Sequence, residues 1–446
     1  NNIILKPSLR RVFLFLDATK YIFMLKLFKE DYISKIIILL FLLSYAWPNF
    51  TSIDRIGNQW LYLSVVNLIS IVYVYIKYQG NFSFNLIKKS KTLKWYFIFL
   101  MSCLLSIVYA KNLPEALITF NHILNVFVSF FLTVYLLNKI NNASNFIVML
   151  FLFALIVEVF FSFIPIIMDL EKGQLTFRSQ VYSGLAANIN ITSFSIVFKL
   201  PFLLYFLFNS TSSIKKIFIS ILLIMLFFTI SVLGTRGAYM AVFSTLIFTI
   251  YYILKNRKDF KRIRISALAL FLAISLSFVF NVITTRKYNS ENVLSRASTI
   301  SLSTKDGSVN QRLRYYKQGV SQFISNPLVG LGIGNYKFKS IEMDKKDIKG
   351  YIVPYHAHND FIQIAVEQGV LGLVSYIMIF ITFIFSMIKQ RLFRSRDLNI
   401  FLLASFSIFL IDSMFNFPIA RPISQIQFVL LLSLVSFEQI KLKNEK

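Results

Sequence analysis

The chain has 446 residues, of which 56% are hydrophobic, and its mean hydropathy is +0.65. A soluble domain of this length would be far more polar, so the composition excludes a soluble enzyme. The formal charge of +27 does not indicate nucleic-acid binding, because the basic residues are spread over many short segments between apolar runs. Cys103 is the single cysteine, so no intrachain disulfide can form.

Twelve apolar runs, each about long enough to cross a hydrocarbon layer of ~30 Å, follow one another along the chain. They predict transmembrane helices at 36–50, 60–76, 95–110, 117–137, 146–168, 192–209, 217–234, 238–254, 265–284, 369–388, 398–415 and 423–438. The basic segment RRVFLFLDATKYIFMLKLFK before them predicts an amphipathic helix on the membrane surface, and we expect no cleavable signal peptide.

The expected protein is therefore an all-α polytopic membrane protein with about 12 transmembrane helices. Its expected parts are a cytoplasmic amphipathic segment (1–35), nine transmembrane helices (36–284), a large outer loop (285–368), three further transmembrane helices (369–438) and a cytoplasmic tail (439–446).

Basic residues predict the orientation, because they are most frequent in the short segments on the side of the termini, such as Lys255–Arg264 and Lys389–Arg396. By the positive-inside rule both termini are cytoplasmic and the loop at 285–368 faces outwards. A loop of that length without secondary structure would be unusual. We expect short helices in it at Gln311–Ile324 and at Asn359–Gln368, the second continuous with the tenth span.

Arginines and glycines collect on the predicted outer side. SVLGTRGAYM places Arg236 in a tight turn between two spans, and QRLRYY places Arg312 and Arg314 in a loop helix. Arg236 could be an interfacial anchor, and Arg312 a solvated surface charge. The segment NPLVGLGIGNY contains three glycines that allow tight turns and close backbone approach, namely Gly330, Gly332 and Gly334. No βαβ unit surrounds them, so they do not indicate a dinucleotide site.

The segment PYHAHND contains two of the three histidines, His356 and His358. The pair could bind zinc with Asp360 as a third ligand, whereas His122 falls within the fourth predicted span and suits a buried structural role. Alternatively, a neutral histidine can accept a proton from a hydroxyl near pH 7. If Asn359 caps the following helix, His358 lies at the positive end of the helix dipole, which disfavours imidazolium.

Arginine stays charged and presents a planar fork of donors that suits a diphosphate. Arginines for a diphosphate leaving group and a histidine for an incoming hydroxyl together indicate a site for glycosyl transfer. The expected glycan donor is a lipid diphosphate, because the site lies at the membrane surface.

Several ordered motifs across residues 178 to 380 resemble the superfamily of O-antigen ligases and O-antigen polymerases, bacterial enzymes that transfer undecaprenyl-diphosphate-linked glycans. They are SGLAANINITSF, SVLGTRGAYM, QRLRYYKQGVSQFISNPLVGLGIGNY and HAHNDFIQIAVEQGVLGL. The positions that fall on family motifs are Asn188, Asn190, Arg236, Arg312, Gly330, Gly332, Gly334, His358, Asn359, Glu367, Gly369 and Gly372, with Arg314 as a neighbour.

The resemblance implies a GT-C-like helical fold in the bacterial inner membrane and a periplasmic active site. It implies metal-independent, inverting transfer without a cofactor, with His358 as general base and with Arg236 and Arg312 holding the diphosphate. The implied partners are the undecaprenyl-diphosphate-linked donor, membrane lipids and a glycan, lipid A-core or protein acceptor, with no nucleic acid.

The acceptor stays open between an O-antigen ligase, a repeat-unit polymerase and a protein O-oligosaccharyltransferase. The other candidate for a substantial outer loop, Asp169–Asn190, is modest and carries only Lys172 and Arg178 as basic residues, which favours the ligase. A lipid-linked-glycan flippase is an alternative of another class, and it would need polar groups in the bilayer. The intramembrane ionisable residues are Glu158, Lys199 and Asp412, of which the last two could form a structural pair or line a lipid groove.

Overall fold

The structure is a computed structural model. It describes residues 32–46, 54–79, 84–186, 188–256, 260–288, 290, 293–298, 307–344, 354–389 and 396–445. Within these ranges the chain consists of helices, turns and connections and contains no strand, so the predicted all-α polytopic membrane fold is confirmed. The predicted amphipathic segment at 1–35 lies almost entirely outside the described residues.

Sixteen α-helices are described. Their bounds are α1 Tyr32–Leu42, α2 Arg55–Tyr78, α3 Asn85–Lys89, α4 Lys91–Ser106, α5 Leu113–Leu137, α6 Ala143–Glu171, α7 Ile189–Asn209, α8 Ser213–Leu233, α9 Arg236–Lys255, α10 Phe260–Lys287, α11 Val293–Ser298, α12 Gly307–Ser325, α13 Tyr336–Asp344, α14 Asp360–Lys389, α15 Arg396–Phe415 and α16 Pro422–Asn444. Short 3₁₀ segments lie at Leu43–Ala46, Ile107–Tyr109, Gln180–Ala186 and Pro418–Ala420.

Eleven of the described helices are long and apolar enough to cross a membrane, and they correspond to the second to twelfth predicted spans. The first predicted span differs, because α1 has only 11 residues before the 3₁₀ segment. Such a helix rises about 16 Å, roughly half of the hydrocarbon thickness. The end of this predicted span, 47–50, lies outside the described residues.

The tenth span begins earlier than hydropathy indicated. Helix α14 starts at Asp360 rather than at 369, and it continues through a non-helical residue at Gly369. The predicted helix at Asn359–Gln368 is therefore confirmed as continuous with the span. The other predicted loop helix is confirmed as α12. Polar residues in the first turns of α14 explain the difference, because they lower the hydropathy of a segment that is nevertheless helical.

Helices α7 and α16 form the centre of the bundle and are almost completely enclosed by the others. Lys199 on α7 is 0% exposed and lies 2.9 Å from a carboxylate oxygen of Glu158 on α6. Of the two alternatives for Lys199 and Asp412, the structural pair is therefore wrong. Asp412 instead accepts a hydrogen bond from the amide of Asn416, at 2.7 Å. Burial drives the choice of partner, because a charge without water needs a direct counter-charge.

Helices α9 and α15 pack antiparallel, as two polar contacts show. The hydroxyls of Ser244 and Ser407 are 2.8 Å apart, and the Asn256 amide lies 3.1 Å from a carboxylate oxygen of Asp397. The N-terminus of α9 therefore lies beside the C-terminus of α15. We call this part of the bundle the site end; it also contains the N-termini of α7, α14 and α16.

Candidate active site

The loop that carries the two histidines is held by three parts of the chain. Asn359 caps α14, since its Oδ1 accepts a hydrogen bond from the backbone N–H of Ile362 at 3.0 Å. Its amide Nδ2 donates to the carbonyl of Met414 at the end of α15, at 3.2 Å. The Tyr316 hydroxyl of α12 lies within hydrogen-bond distance of the carbonyls of both His358 and Met414. The predicted cap is thus present, and it places His358 at the amino end of α14.

The His358 imidazole lies between aromatic rings. Its ring is nearly parallel to that of Tyr315, with centroids 6.1 Å apart, and it meets the Phe417 ring edge-on at 5.0 Å. Burial and, to a smaller extent, the charges of Arg312 and Arg421 together lower the pKa of His358 to about 4. The imidazole is therefore neutral at physiological pH, as a general base requires. Its Nδ1 is buried and has no hydrogen-bond partner among the described residues.

His356 has a different environment. Its ring stacks on Phe417 with centroids 4.2 Å apart, and its Nδ1 lies 3.3 Å from the side-chain oxygen of Gln363. Burial and, to a smaller extent, the charge of Arg421 lower the pKa of His356 to about 3. These contacts suit a residue that shapes the loop.

The zinc hypothesis finds no support in the described part of the chain, where no three His, Cys, Asp or Glu residues are grouped as a metal site would require. The Asp360 carboxylate, its expected third ligand, accepts a hydrogen bond from the backbone N–H of Ile419 at 3.2 Å. The remaining histidine, His122, stacks on Trp60 with centroids 4.2 Å apart.

The structure brings one of the two expected diphosphate-binding arginines close to the histidine. Arg312 lies on α12, is partly buried, and acts electrostatically on both His358 and Tyr316. Its neighbour Arg314 lies over the ring of Tyr315, with 5.5 Å between Cζ and the ring centroid. Helix α12 therefore presents Arg312 to the site, whereas Arg314 packs on the aromatic ring beside it.

Arg236 is the first residue of α9 and follows a left-handed turn at Gly234, where φ is 60°. It lies eight residues before Ser244, and Phe415 lies eight residues after the paired Ser407. In antiparallel helices this register puts Arg236 at the level of Phe415, at the site end. Arg236, on α9, and His358, just before α14, thus lie at the same end of the bundle.

The Asn-x-Asn segment lies next to the first turn of α9. Asn188 caps α7, since its Oδ1 accepts hydrogen bonds from the backbone N–H groups of Asn190 and Ile191, at 2.9 and 3.4 Å. The Asn190 side chain is exposed. One turn further, the Phe194 ring packs so closely on Gly237 that a Cβ there would lie 2.8 Å from it. The small residue after Arg236 thus allows α7 and α9 to approach.

Glu367 ties the glycine segment to α14. Its carboxylate accepts hydrogen bonds from the backbone N–H groups of Gly334 and Tyr336, at 3.0 and 3.3 Å. A Cβ on Gly330 would lie 2.5 Å from the backbone of Glu367, and one on Gly332 would lie 2.4 Å from the backbone of Ala110. These glycines therefore serve close backbone approach, and Glu367 has a structural role.

Gly369 allows the same junction from the side of α14. Its φ is 66°, and a Cβ there would lie 2.3 Å from the carbonyl oxygen of Leu328. The next residue, Val370, donates its backbone N–H to the carbonyl of Pro327 at 2.8 Å. Gly372 faces the side chain of Gln368 on its own helix. The segments Pro327–Gly330 and Glu367–Gly369 thus pack tightly against each other, and we call this contact the joint.

Sequence reasoning missed Arg421 and Phe417. Arg421 is 5% exposed, and its Cζ lies 4.0 Å from the centroid of the Phe417 ring. Both residues lie in the short connection between α15 and α16. The available signal was an arginine between two apolar runs, the same signal that singled out Arg236.

An apolar groove of about 460 Å³ lies between α8, α9 and α10. Tyr239, which lines it, follows Arg236 by one helical turn, so the groove begins near the site end. Other lining residues are Ile230, Ser231, Val242, Leu246 and Ile274. An apolar groove that starts beside a cationic site has the shape and chemistry to hold a lipid tail.

The fold and the site together define a multi-pass helical membrane protein with a cationic, histidine-containing site at one end of the bundle. Residues 219–377, from α8 to α14, match the family model described as O-Antigen ligase. A segment of 97 residues is 32% identical to the Exopolysaccharide production protein ExoQ of Rhizobium meliloti (strain 1021). It covers 21% of this chain and 22% of that protein. The resemblance to the O-antigen ligase superfamily is thereby confirmed.

Proposed function

We propose that the chain is a membrane glycosyltransferase that moves a glycan from undecaprenyl diphosphate to an acceptor hydroxyl. It works at the periplasmic face of the bacterial inner membrane, with both termini in the cytoplasm. The observation that carries the proposal is the neutral His358 at the amino end of α14, with Arg312 close enough to act on it electrostatically. The match over residues 219–377, which include Arg236, Arg312 and His358, supports the same reaction.

In the proposed reaction the acceptor oxygen attacks C1 of the sugar while His358 takes the hydroxyl proton. The new C1–O bond forms on the face opposite the diphosphate. The old C1–O bond breaks, and its electron pair leaves with the diphosphate. The configuration at C1 is therefore inverted, and the proton on His358 is later released to water. Assistance by a general base is typically worth ~10²–10⁴-fold in rate.

Arginines take the place of a metal ion or a cofactor in this proposal. Negative charge builds up on the diphosphate as the C1–O bond breaks, so cations beside it stabilise the transition state more than the ground state. Arg312 would act from the loop helix α12 and Arg236 from the first turn of α9. The partial positive charge at the N-terminus of α9 adds to the same effect.

The groove beside Arg236 supports a lipid-linked donor. We propose that it holds part of the polyprenyl chain, because it is apolar and starts one turn from an arginine that would bind the headgroup. The diphosphate would then lie at the membrane boundary and the glycan outside.

The favoured acceptor is lipid A-core, as for an O-antigen ligase. The outer loop at Asp169–Asn190 is compact: Arg178 donates its backbone N–H to the carbonyl of Val232 at 3.0 Å, and its stem packs on Gly234. Of these two outer loops only the one before α14 is large, and one large loop rather than two favours the ligase. Repeat-unit polymerisation is the second candidate, because the relative ExoQ is named for exopolysaccharide production.

The test is glycan transfer in cells that lack the gene, complemented with wild type, His358→Ala or the matched control His122→Gln, at equal membrane levels. We expect His358→Ala to abolish transfer and to accumulate the lipid-linked donor, and His122→Gln to behave as wild type. Loss of all long chains on lipid A-core identifies a ligase, whereas single repeats that remain attached identify a polymerase. Normal transfer by His358→Ala would overturn the proposal and favour the flippase alternative.

A further inference from the structure

Arg421 is a buried cation that the mechanism above does not use. It lies between α15 and α16 and is 5% exposed. Its Nε and Nη1 are buried and have no hydrogen-bond partner among the described residues. A buried guanidinium without hydrogen-bond acceptors is costly, because it has lost water without replacement. Such a group indicates a ligand that supplies the missing acceptors.

The hydrogen bonds described for the nearby carboxylates go to groups other than Arg421, and Asp360 Oδ1 is buried without a hydrogen-bond partner among the described residues. Asp360 accepts hydrogen bonds from the backbone N–H of Ile419 and from the Tyr376 hydroxyl through Oδ2, at 3.2 and 3.4 Å. Asp412 accepts one from Asn416. Both carboxylates balance the charge of Arg421 at a distance. They thereby allow a cation to stay buried while its own donors remain available.

Phe417 holds Arg421 in place next to the histidines. The guanidinium and the His356 ring both lie within 4.2 Å of the centre of the Phe417 ring, so they must occupy opposite faces. The edge of the same ring meets His358. Cation–π contact fixes the guanidinium plane over the ring. Arg421 is therefore a preorganised cation on one face of the Phe417 ring, whose edge contacts the proposed base, His358.

We propose that Arg421 binds the diphosphate of the lipid-linked donor through hydrogen bonds from its Nε and Nη1. This inference rests on the proposed function and extends it: the diphosphate is held from the connection between α15 and α16 as well as from α12. Arg421 and Arg312 then act on the leaving group from two separate elements.

Binding of the diphosphate also changes the proton affinity of His358. Three cationic or ionisable groups act on His358 or share its loop, namely Arg312 of α12, Arg421 and His356. A bound diphosphate offsets the two arginine charges, so it raises the proton affinity of His358 when the glycan donor arrives. The base is thereby strengthened only in the occupied site.

The direct test measures binding without turnover. In His358→Ala protein in detergent micelles, undecaprenyl diphosphate should raise the thermal unfolding temperature, and undecaprenyl monophosphate should raise it less. Adding Arg421→Gln should weaken binding of the diphosphate about 10–100-fold, the range expected for a lost charged hydrogen bond, while Arg421→Lys should weaken it less. Unchanged diphosphate binding in the Arg421→Gln background would overturn the inference.

A second variant separates binding from folding. Removing Arg421 leaves Asp360 and Asp412 without their counter-charge, so Arg421→Gln is also combined with Asp412→Asn. If Arg421 only balances charge, the double variant regains both thermal stability and donor affinity, and the inference fails. If Arg421 binds the diphosphate, the double variant regains stability but its KM for the glycan donor stays high.

The pH profile gives an independent readout. In wild type the acidic limb of kcat/KM should fall near the His358 pKa of about 4, because the base acts when neutral and loses activity as pH drops through its pKa. Without the Arg421 charge this limb should move to slightly higher pH, because burial, the largest cause of the low pKa, remains. An unmoved limb contradicts the inference. The proposed function itself fails only if His358→Ala remains active, so the two failures are distinguishable.

Discussion

The ion pair between Lys199 and Glu158 joins three helices at the centre of the bundle, and its loss is predicted to destabilise the protein. The Lys199 ammonium lies 3.0 and 2.9 Å from the two carboxylate oxygens and 2.7 and 2.9 Å from the carbonyl and hydroxyl oxygens of Ser195. The amide of Gln427 on α16 donates to the same hydroxyl at 2.6 Å. An ammonium has three protons, so all of its donors are used.

The perturbation is Lys199→Met, which keeps most of the side-chain volume but removes the charge. Glu158 is 6% exposed, so its carboxylate would remain buried with one hydroxyl partner. Breaking a buried pair on one side costs about 3–5 kcal/mol. At 1.4 kcal/mol per decade this lowers the folded-to-unfolded ratio roughly 10²–10⁴-fold. The double variant Glu158→Gln/Lys199→Met removes both charges and should regain most of the loss.

The assay is equilibrium unfolding of the purified protein in mixed micelles, with wild type, both single variants and the double variant forming one thermodynamic cycle. A cost below about 1 kcal/mol for Lys199→Met would refute the reasoning. So would a double variant that is less stable than Lys199→Met, because the two charges would then not be coupled.

Two further predictions concern the joint and the groove. Gly369→Ala should cost about 2–4 kcal/mol in the same unfolding assay, since it combines a positive φ with a Cβ 2.3 Å from Leu328. The control Gly173→Ala should cost less, because Gly173 has a φ of 69° but no atom within 4 Å of the added Cβ. Equal costs would contradict the packing argument. Val242→Trp should fill the groove and raise the KM for the lipid-linked donor severalfold with little effect on kcat. The control Val65→Trp, at a position 46% exposed on α2, should leave KM unchanged. Equal effects of the two substitutions would rule out the groove as the lipid site.

The motif residues divide into two kinds of role in the structure. Glu367, Gly330 and Gly369 form the joint between the glycine segment and α14, so their chemistry is that of packing and backbone hydrogen bonds. His358 and Arg312 are different, because they are partly buried, polar and electrostatically coupled. A motif in sequence does not distinguish these roles, since a glycine that fits beside a backbone and a glycine that admits a ligand look the same.

The sequence by itself determined the helical membrane class and the second to twelfth spans. In a bilayer every backbone polar group must be bonded within its own segment, so a long apolar run has few alternatives to a helix. It also indicated His358 and Arg312, because charged and imidazole side chains are rare enough next to apolar runs to stand out.

Only the tertiary structure decided which groups meet. Hydropathy could not show that Lys199 pairs with Glu158 rather than with Asp412, because a buried charge takes whichever counter-charge helix packing brings within reach. Arg421 became visible through its burial over Phe417, a contact that depends on how the connection between α15 and α16 folds back onto the histidine loop.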